Sequence, residues 1–215
     1  APCIQEWRVC GPYRQPGATG AEALFDVAFG PEKPGETVAW KPLPRGDHAN
    51  LGVFFPDQMN CAAYLQAQII APQDGKAALL LGSDDGVKAW LNGAVVLSHN
   101  IDRGMAPDQD MALIELKKGT NQLRLKITQG GGGWMACARI VGTDGLPIAS
   151  MRVEPQGGAE PPVAAPQPAP APVPAVLPKR DAFQKLRLSE QFYAEGASYG
   201  DFNQDGKVDV VAGPF

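Results

Sequence analysis

Histidine is scarce in this chain. His48 and His99 are the only two, 50 residues lie between them, and neither has a ligand-spaced partner. No stretch approaches the roughly 20 consecutive apolar residues that a membrane-spanning helix needs. Basic residues are not in excess: 19 Lys and Arg face 23 Asp and Glu, for a net charge of −4. That balance argues against a nucleic-acid-binding surface, which wants clustered positive charge. None of the four cysteines sits in a C-x-x-C pair, so a zinc ribbon, a thioredoxin-like redox site and a c-type haem attachment all lack their spacing. Ser83 lies in no nucleophile elbow, and no phosphate loop or dinucleotide fingerprint occurs. The constellations of an enzyme are missing, and the expectation is a non-catalytic protein.

Glycine and proline are abundant instead, 25 and 21 of 215 residues. Together they make about a fifth of the chain, against about 12% in average usage. That much punctuation leaves little room for long helices and excludes an all-α bundle. Composition divides the chain in three. Residues 1–153 mix apolar and polar residues, with 14 basic and 15 acidic side chains. Residues 154–178 hold nine Pro and six Ala in 25 positions and read as a semi-rigid extended linker. Residues 179–215 regain aromatic and charged residues.

The first segment reads as short strands separated by turns. Ala77–Gly82 is an apolar run, and Ser83-Asp84-Asp85-Gly86 is turn chemistry. Val87–Leu91 alternates, and Asn92-Gly93 then gives the strongest two-residue hairpin signal, since a type I′ turn needs positive φ at both centres. Ala94–Ser98 returns. Ala112–Leu116 precedes another turn, and Gln122–Thr128 alternates strictly. Leu123, Leu125 and Ile127 fall on one face, Arg124 and Lys126 on the other. Gly130–Gly133 reads as a flexible loop, and Trp134–Val141 as a core strand. This spacing predicts a mainly-β fold, an antiparallel jelly-roll-like sandwich.

The cysteines are Cys3, Cys10, Cys61 and Cys137. An even count with wide separations fits two disulfides in an oxidising compartment. Three connectivities are open. The expected one pairs Cys3 with Cys10 and Cys61 with Cys137, the alternative being four buried thiols. The chain opens Ala-Pro-Cys, as a product would after removal of a signal peptide, and the expectation is a secreted or cell-surface protein.

Two adjacent carboxylates, Asp84 and Asp85, repel each other unless a cation sits nearby. Calcium, which takes six to eight oxygens, is the usual partner for such a cluster, and a solvated Asp-Gly turn is the alternative. As neighbours on one turn they suit a glycosidase poorly, since its two carboxyl groups flank a cleft about 5–9 Å apart. The stretch from Leu81 to Gly93, with Lys118-Gly-Thr-Asn-Gln-Leu beyond it, resembles protective-antigen-type and galactose-binding-like jelly-roll sugar-binding modules over roughly residues 63–142. The resemblance implies that Asp84 and Asp85 hold a calcium ion which in turn holds sugar hydroxyls. Among four tryptophans, Trp134 beside the glycine run is the best candidate for an exposed ring that stacks on sugar.

A second signal lies in the tail. Asp201, Asn203, Asp205 and Asp209 place oxygen donors at positions 1, 3, 5 and 9, with the Lys207 carbonyl at 7 and Gly206 at the bend. The Glu of an EF-hand at position 12 is absent, Ala212 standing there, and strands are expected on either side. The spacing resembles the calcium loops of FG-GAP or VCBS-type repeats, which implies calcium here too. The reading is a calcium-dependent module that binds glycan or cell-surface polysaccharide. One alternative is a structural subunit that self-associates through its tail. Another is the targeting half of a larger secreted enzyme.

Overall fold

The computed structural model describes residues 2–154, together with two strands at 197–200 and 209–212. Strand β1 (Arg8–Tyr13) leads into an irregular stretch with helix α1 (Glu22–Phe25) and a 3-10 turn at Gly30–Glu32. Two short strands follow, β2 (Lys41–Pro42) and β3 (Ala49–Asn50), then helix α2 (Leu51–Phe54), whose first turn is capped by the Asn50 side chain accepting from the Val53 N–H. The long strands come next: β4 (Cys61–Ala71), β5 (Gly75–Asp84), β6 (Val87–Leu91), β7 (Ala94–His99), β8 (Asp110–Leu116), β9 (Gly119–Gln129) and β10 (Met135–Gly142). A short β11 (Arg152–Glu154) closes the series.

Seven strands form one sheet in the order β2-β1-β4-β9-β6-β7, with β11 also paired to β4, and four form the other, β3-β10-β5-β8. Every pairing is antiparallel. The expected sandwich is present. Leu65 and Ile69 of β4, Leu123, Leu125 and Ile127 of β9, Leu79 and Leu81 of β5, and Ile140 of β10 fill the space between the sheets. Asn92 and Gly93 both take positive φ, 51° and 85°, and close the β6–β7 hairpin as their sequence requires.

A second apolar cluster lies on the outer face of the larger sheet. There Leu24 and Phe29 from the irregular 14–47 stretch cover Cys10, Ala62 and Tyr64. The stretch is pinned by Lys126, whose ammonium donates to the carbonyls of Phe25 and Val27 at 2.8 and 2.6 Å and pairs with Glu32 at 3.0 Å. Arg124, one pleat along, donates to the Pro31 carbonyl. The outer face of β9 is therefore roofed, and Arg124 and Lys126 are buried there.

The cysteines pair differently from expectation. Cys3 bonds Cys137, 134 residues away, while Cys10 and Cys61 are buried and form no disulfide. The Ile4 N–H donates to the Ala138 carbonyl at 2.7 Å, which lays the N-terminal residues along β10 and sets Cys3 beside Cys137. Cys10 belongs to the outer cluster and Cys61 to the core between the sheets, so they occupy opposite faces. Burial pushes the Cys61 thiol up to about 11.

The chain divides into two compact units, residues 1–171 and 172–215. In the second, β12 (Ala197–Gly200) pairs antiparallel with β13 (Asp209–Ala212). The Pro/Ala stretch from 155 and the loop positions Asp201, Asn203, Asp205 and Lys207 lie outside the described residues, as does the Asp209 side chain. Among the described residues no helix is long and apolar enough to cross a membrane.

Candidate functional site

Strand β5 belongs to the smaller sheet and β6 to the larger, so the chain must cross one end of the sandwich between them. Two residues suffice, Asp85 and Gly86, and the Asp84–Asp85 peptide is cis. Pairing resumes at once on the far side. The Asp85 N–H donates to the Thr128 carbonyl, and the Thr128 N–H donates to that of Gly86, both at 3.0 Å. A Cβ on Gly86 would lie 2.7 Å from Thr128 Oγ1 and 3.1 Å from the Phe25 ring, so close approach demands glycine.

Backbone donors hold the Asp85 carboxylate. Its Oδ2 accepts from the Gly130 N–H at 2.9 Å and its Oδ1 from the Arg103 N–H at 3.3 Å. Arg103 is itself anchored, donating to Ser83 Oγ at 2.9 Å and pairing with Asp110, while the Ser83 hydroxyl donates to the Asp85 carbonyl at 2.6 Å. Burial pushes Asp110 up, but the bonds from Arg103 and from His99 outweigh it and hold its carboxyl below the usual carboxylate range. The loop that carries Arg103 is thus tied to the end of β8 and to the β5–β6 crossing.

Asp84 is half-buried against the glycine run. A Cβ on Gly133 would lie 2.5 Å from Asp84 Oδ2, so a side chain there would displace the carboxylate. Burial, and then the charges of Asp85 and Asp102, push Asp84 up to about 6. Asp85 is also raised, first by burial and further by Asp102, against the two N–H bonds that it accepts. The Arg103 guanidinium is spent on Asp110 and Ser83, and among the described residues no cationic side chain pairs with Asp84 or Asp85. Asp84 feels the charges of Asp85 and Asp102 with no cationic side chain paired to it, an arrangement that a divalent cation would relieve.

These are hard oxygen donors, the chemistry calcium prefers. Among the described residues no three Asp, Glu, His or Cys side chains stand close enough to hold a metal by themselves. A calcium ion here would draw on Asp84 and Asp85, with backbone carbonyls and water completing its shell.

Two sequence expectations are corrected. The Gly86 turn between two apolar strands predicts an exposed apex for Asp84 and Asp85, yet Asp85 is 4% exposed, because the Arg103 loop and the glycine run close over the crossing. Trp134 was expected on the surface and is 1% exposed. Its ring packs into the core beside Phe55, with centroids 5.7 Å apart, and it offers no stacking face. The glycine run brings backbone to the site and leaves the indole inside. Asp102, Arg103, Gly130 and Gly133 were missed by the sequence reading; the only pointer was four glycines in one chain with an Asp-Asp turn.

No protein-family model matches this chain, and no curated protein does. Solved structures do. A β-glucosidase from Kluyveromyces marxianus matches at TM-score 0.39 and 20% identity over 51% of this chain and 15% of its own. The PA14 domain of the MpAFP antifreeze protein matches at TM-score 0.39 and 13% identity over 71% of this chain and 73% of its own. A family 35 carbohydrate-binding module from Clostridium thermocellum matches at 0.35 and 12%, over 66% of this chain and 97% of its own. Similarity at this level transfers no residue roles.

Proposed function

We propose that the sandwich is a non-catalytic, extracellular carbohydrate-binding module in which Asp84 and Asp85 hold a calcium ion that takes glycan hydroxyls. The observation that carries this reading is the Asp84–Asp85 pair at the crossing between the sheets, with Asp85 held by backbone donors and, among the described residues, no cationic side chain paired to either. The chain's part is positional. Arg103 and Gly130 orient Asp85, and Gly133 gives Asp84 room. Calcium, when bound, would offer coordination sites at which a pair of sugar hydroxyls replaces water. The Cys3–Cys137 disulfide supports an oxidising compartment. The tail loop Asp201, Asn203, Asp205, Lys207 and Asp209 is proposed as a second calcium site, of the FG-GAP or VCBS type.

Calorimetric titration of calcium into the full chain tests the first site. Asp84→Asn should lose one bound ion and keep any that belongs to the tail loop. An unchanged stoichiometry and affinity in the variant would remove calcium from the Asp84–Asp85 turn.

A different observation favours the structural alternative. Met111 and Leu113 on β8, the edge strand of the smaller sheet, are 65% and 72% exposed on its outer face. An apolar pair at a sheet edge is a contact surface for assembly. Sedimentation of Met111→Lys/Leu113→Lys beside the parent chain decides it, and loss of an oligomer would support that reading.

A further inference from the structure

An apolar groove of about 380 Å³ lies where the N-terminal residues meet β10 and the turn that leads to β11. Ile4, Ile140, Pro147, Ile148, Met151 and Val153 supply its apolar lining. Part of the wall is fixed by the chain's own staples. The Ile4 N–H donates to the Ala138 carbonyl and Cys3 is bonded to Cys137, which holds residues 3 and 4 on β10. Ile148, Met151 and Val153 are partly buried and pack on the core between the sheets. The polar residues of the groove ask for no charged ligand, since Glu6 pairs with Arg45 and Gln5 is exposed. The groove therefore suits an apolar occupant with no charge to place.

The chain carries such an occupant close by. Val153 lines the groove and is followed by Glu154, after which the Pro/Ala stretch begins, so the chain leaves the sandwich at the groove's edge. The compact unit that contains the sandwich runs on to residue 171. From 155 to 171 the sequence is Pro-Gln-Gly-Gly-Ala-Glu-Pro-Pro-Val-Ala-Ala-Pro-Gln-Pro-Ala-Pro-Ala, and Val163 is its only branched aliphatic residue. Gly157-Gly158 puts a turn signal between the exit and Pro161. The six residues 155–160 reach about 20 Å when extended, enough to bring the chain back to a groove that borders its exit. Pro161 and Pro162 restrict the backbone ahead of Val163, so less freedom is lost on docking. We infer that the groove is the docking site of the chain's own Pro161-Pro162-Val163, with the Val163 side chain entering the apolar lining. A tethered segment meets its site at an effective concentration in the millimolar range, so an intrinsic affinity of about 1 mM is enough to populate docking. The free spacer then starts at Ala164 instead of Pro155. The inference uses no residue of the Asp84–Asp85 site and stands apart from the calcium and glycan reading.

The test follows the methyl resonances of Ile148 and Met151 in the full chain, labelled with carbon-13 at Ile and Met methyl groups. Val163→Asp puts a charge on the docking residue and leaves the groove itself untouched. Both signals should move in this variant relative to the parent. A peptide of residues 159–166, added at several millimolar, should move them back toward the parent's positions in the variant and shift the parent much less. Val173→Asp, ten residues further along the same stretch, should leave them where they are. Identical Ile148 and Met151 signals in the parent and Val163→Asp overturn the inference, and so does an equal movement in Val173→Asp. If the parent's signals change with its own concentration, the segment comes from a second copy and docking within one chain is overturned.

Discussion

Strands β8 and β9 read differently in the sequence, and their surroundings reverse the reading. Asp110-Met-Ala-Leu-Ile-Glu-Leu116 runs four apolar residues together, while Gln122-Leu-Arg-Leu-Lys-Ile-Thr128 alternates strictly. In β8 burial alternates from end to end, with Ala112, Ile114 and Leu116 inside and Met111, Leu113 and Glu115 outside. In β9 both faces are buried from Leu123 to Gln129, apart from Gln122 before them. The difference lies outside the strands. The irregular 14–47 stretch covers the outer face of β9 and brings two carbonyls and Glu32 to the one ammonium there. Alternation identifies a strand and its core-facing side. It is silent about whether the other side meets water or a second layer.

The largest expected effect tests that second layer. Lys126→Ala leaves two carbonyls without their donor and Glu32 with the Tyr64 hydroxyl but no cation, and should cost about 3–5 kcal/mol, the usual result of breaking a buried ion pair from one side. Urea unfolding of the two proteins measures it, and a cost below 1 kcal/mol would mean that the stretch does not depend on Lys126. The buried charge of β8 comes next. Asp110→Asn weakens the hold on Arg103 and should cost about 2 kcal/mol at neutral pH. Because the folded carboxyl titrates below its ordinary value, its contribution is present above the unfolded pKa of about 3.9 and is lost as pH falls through the folded one. The gap between parent and variant should therefore close in acid. A gap of equal size at pH 7 and pH 3 would contradict the role assigned to the charge. The smallest effect belongs to the bare face of β8, where Leu113→Thr should change the stability of the isolated chain by no more than about 0.5 kcal/mol.

Much of the fold was legible because hairpin chemistry and strict alternation are local. Asn92-Gly93 required its turn, and the strands from Ala77 onward stand near their expected places, extended by a few residues where pairing partners continue. The central strand β4 was not foreseen. Cys61–Ala71 carries four alanines and no β-branched residue before Ile69, so its place is fixed by neighbours rather than propensity. The disulfide could not be chosen from spacing, since it depends on the N-terminal residues lying along β10. The site was half legible. Asp84 and Asp85 were visible as a pair, but their enclosure depends on backbone N–H groups of Arg103 and Gly130, 18 and 45 residues away, which have no side-chain signature.

The central claim is that Asp84 and Asp85 bind glycan through calcium. A glycan array probed with the full chain and with Asp84→Asn, each in millimolar calcium and in EDTA, tests it most directly. The account predicts a defined set of glycans bound by the parent in calcium, lost in EDTA, and absent for the variant in either buffer. Glycan binding that survives both EDTA and Asp84→Asn would contradict it.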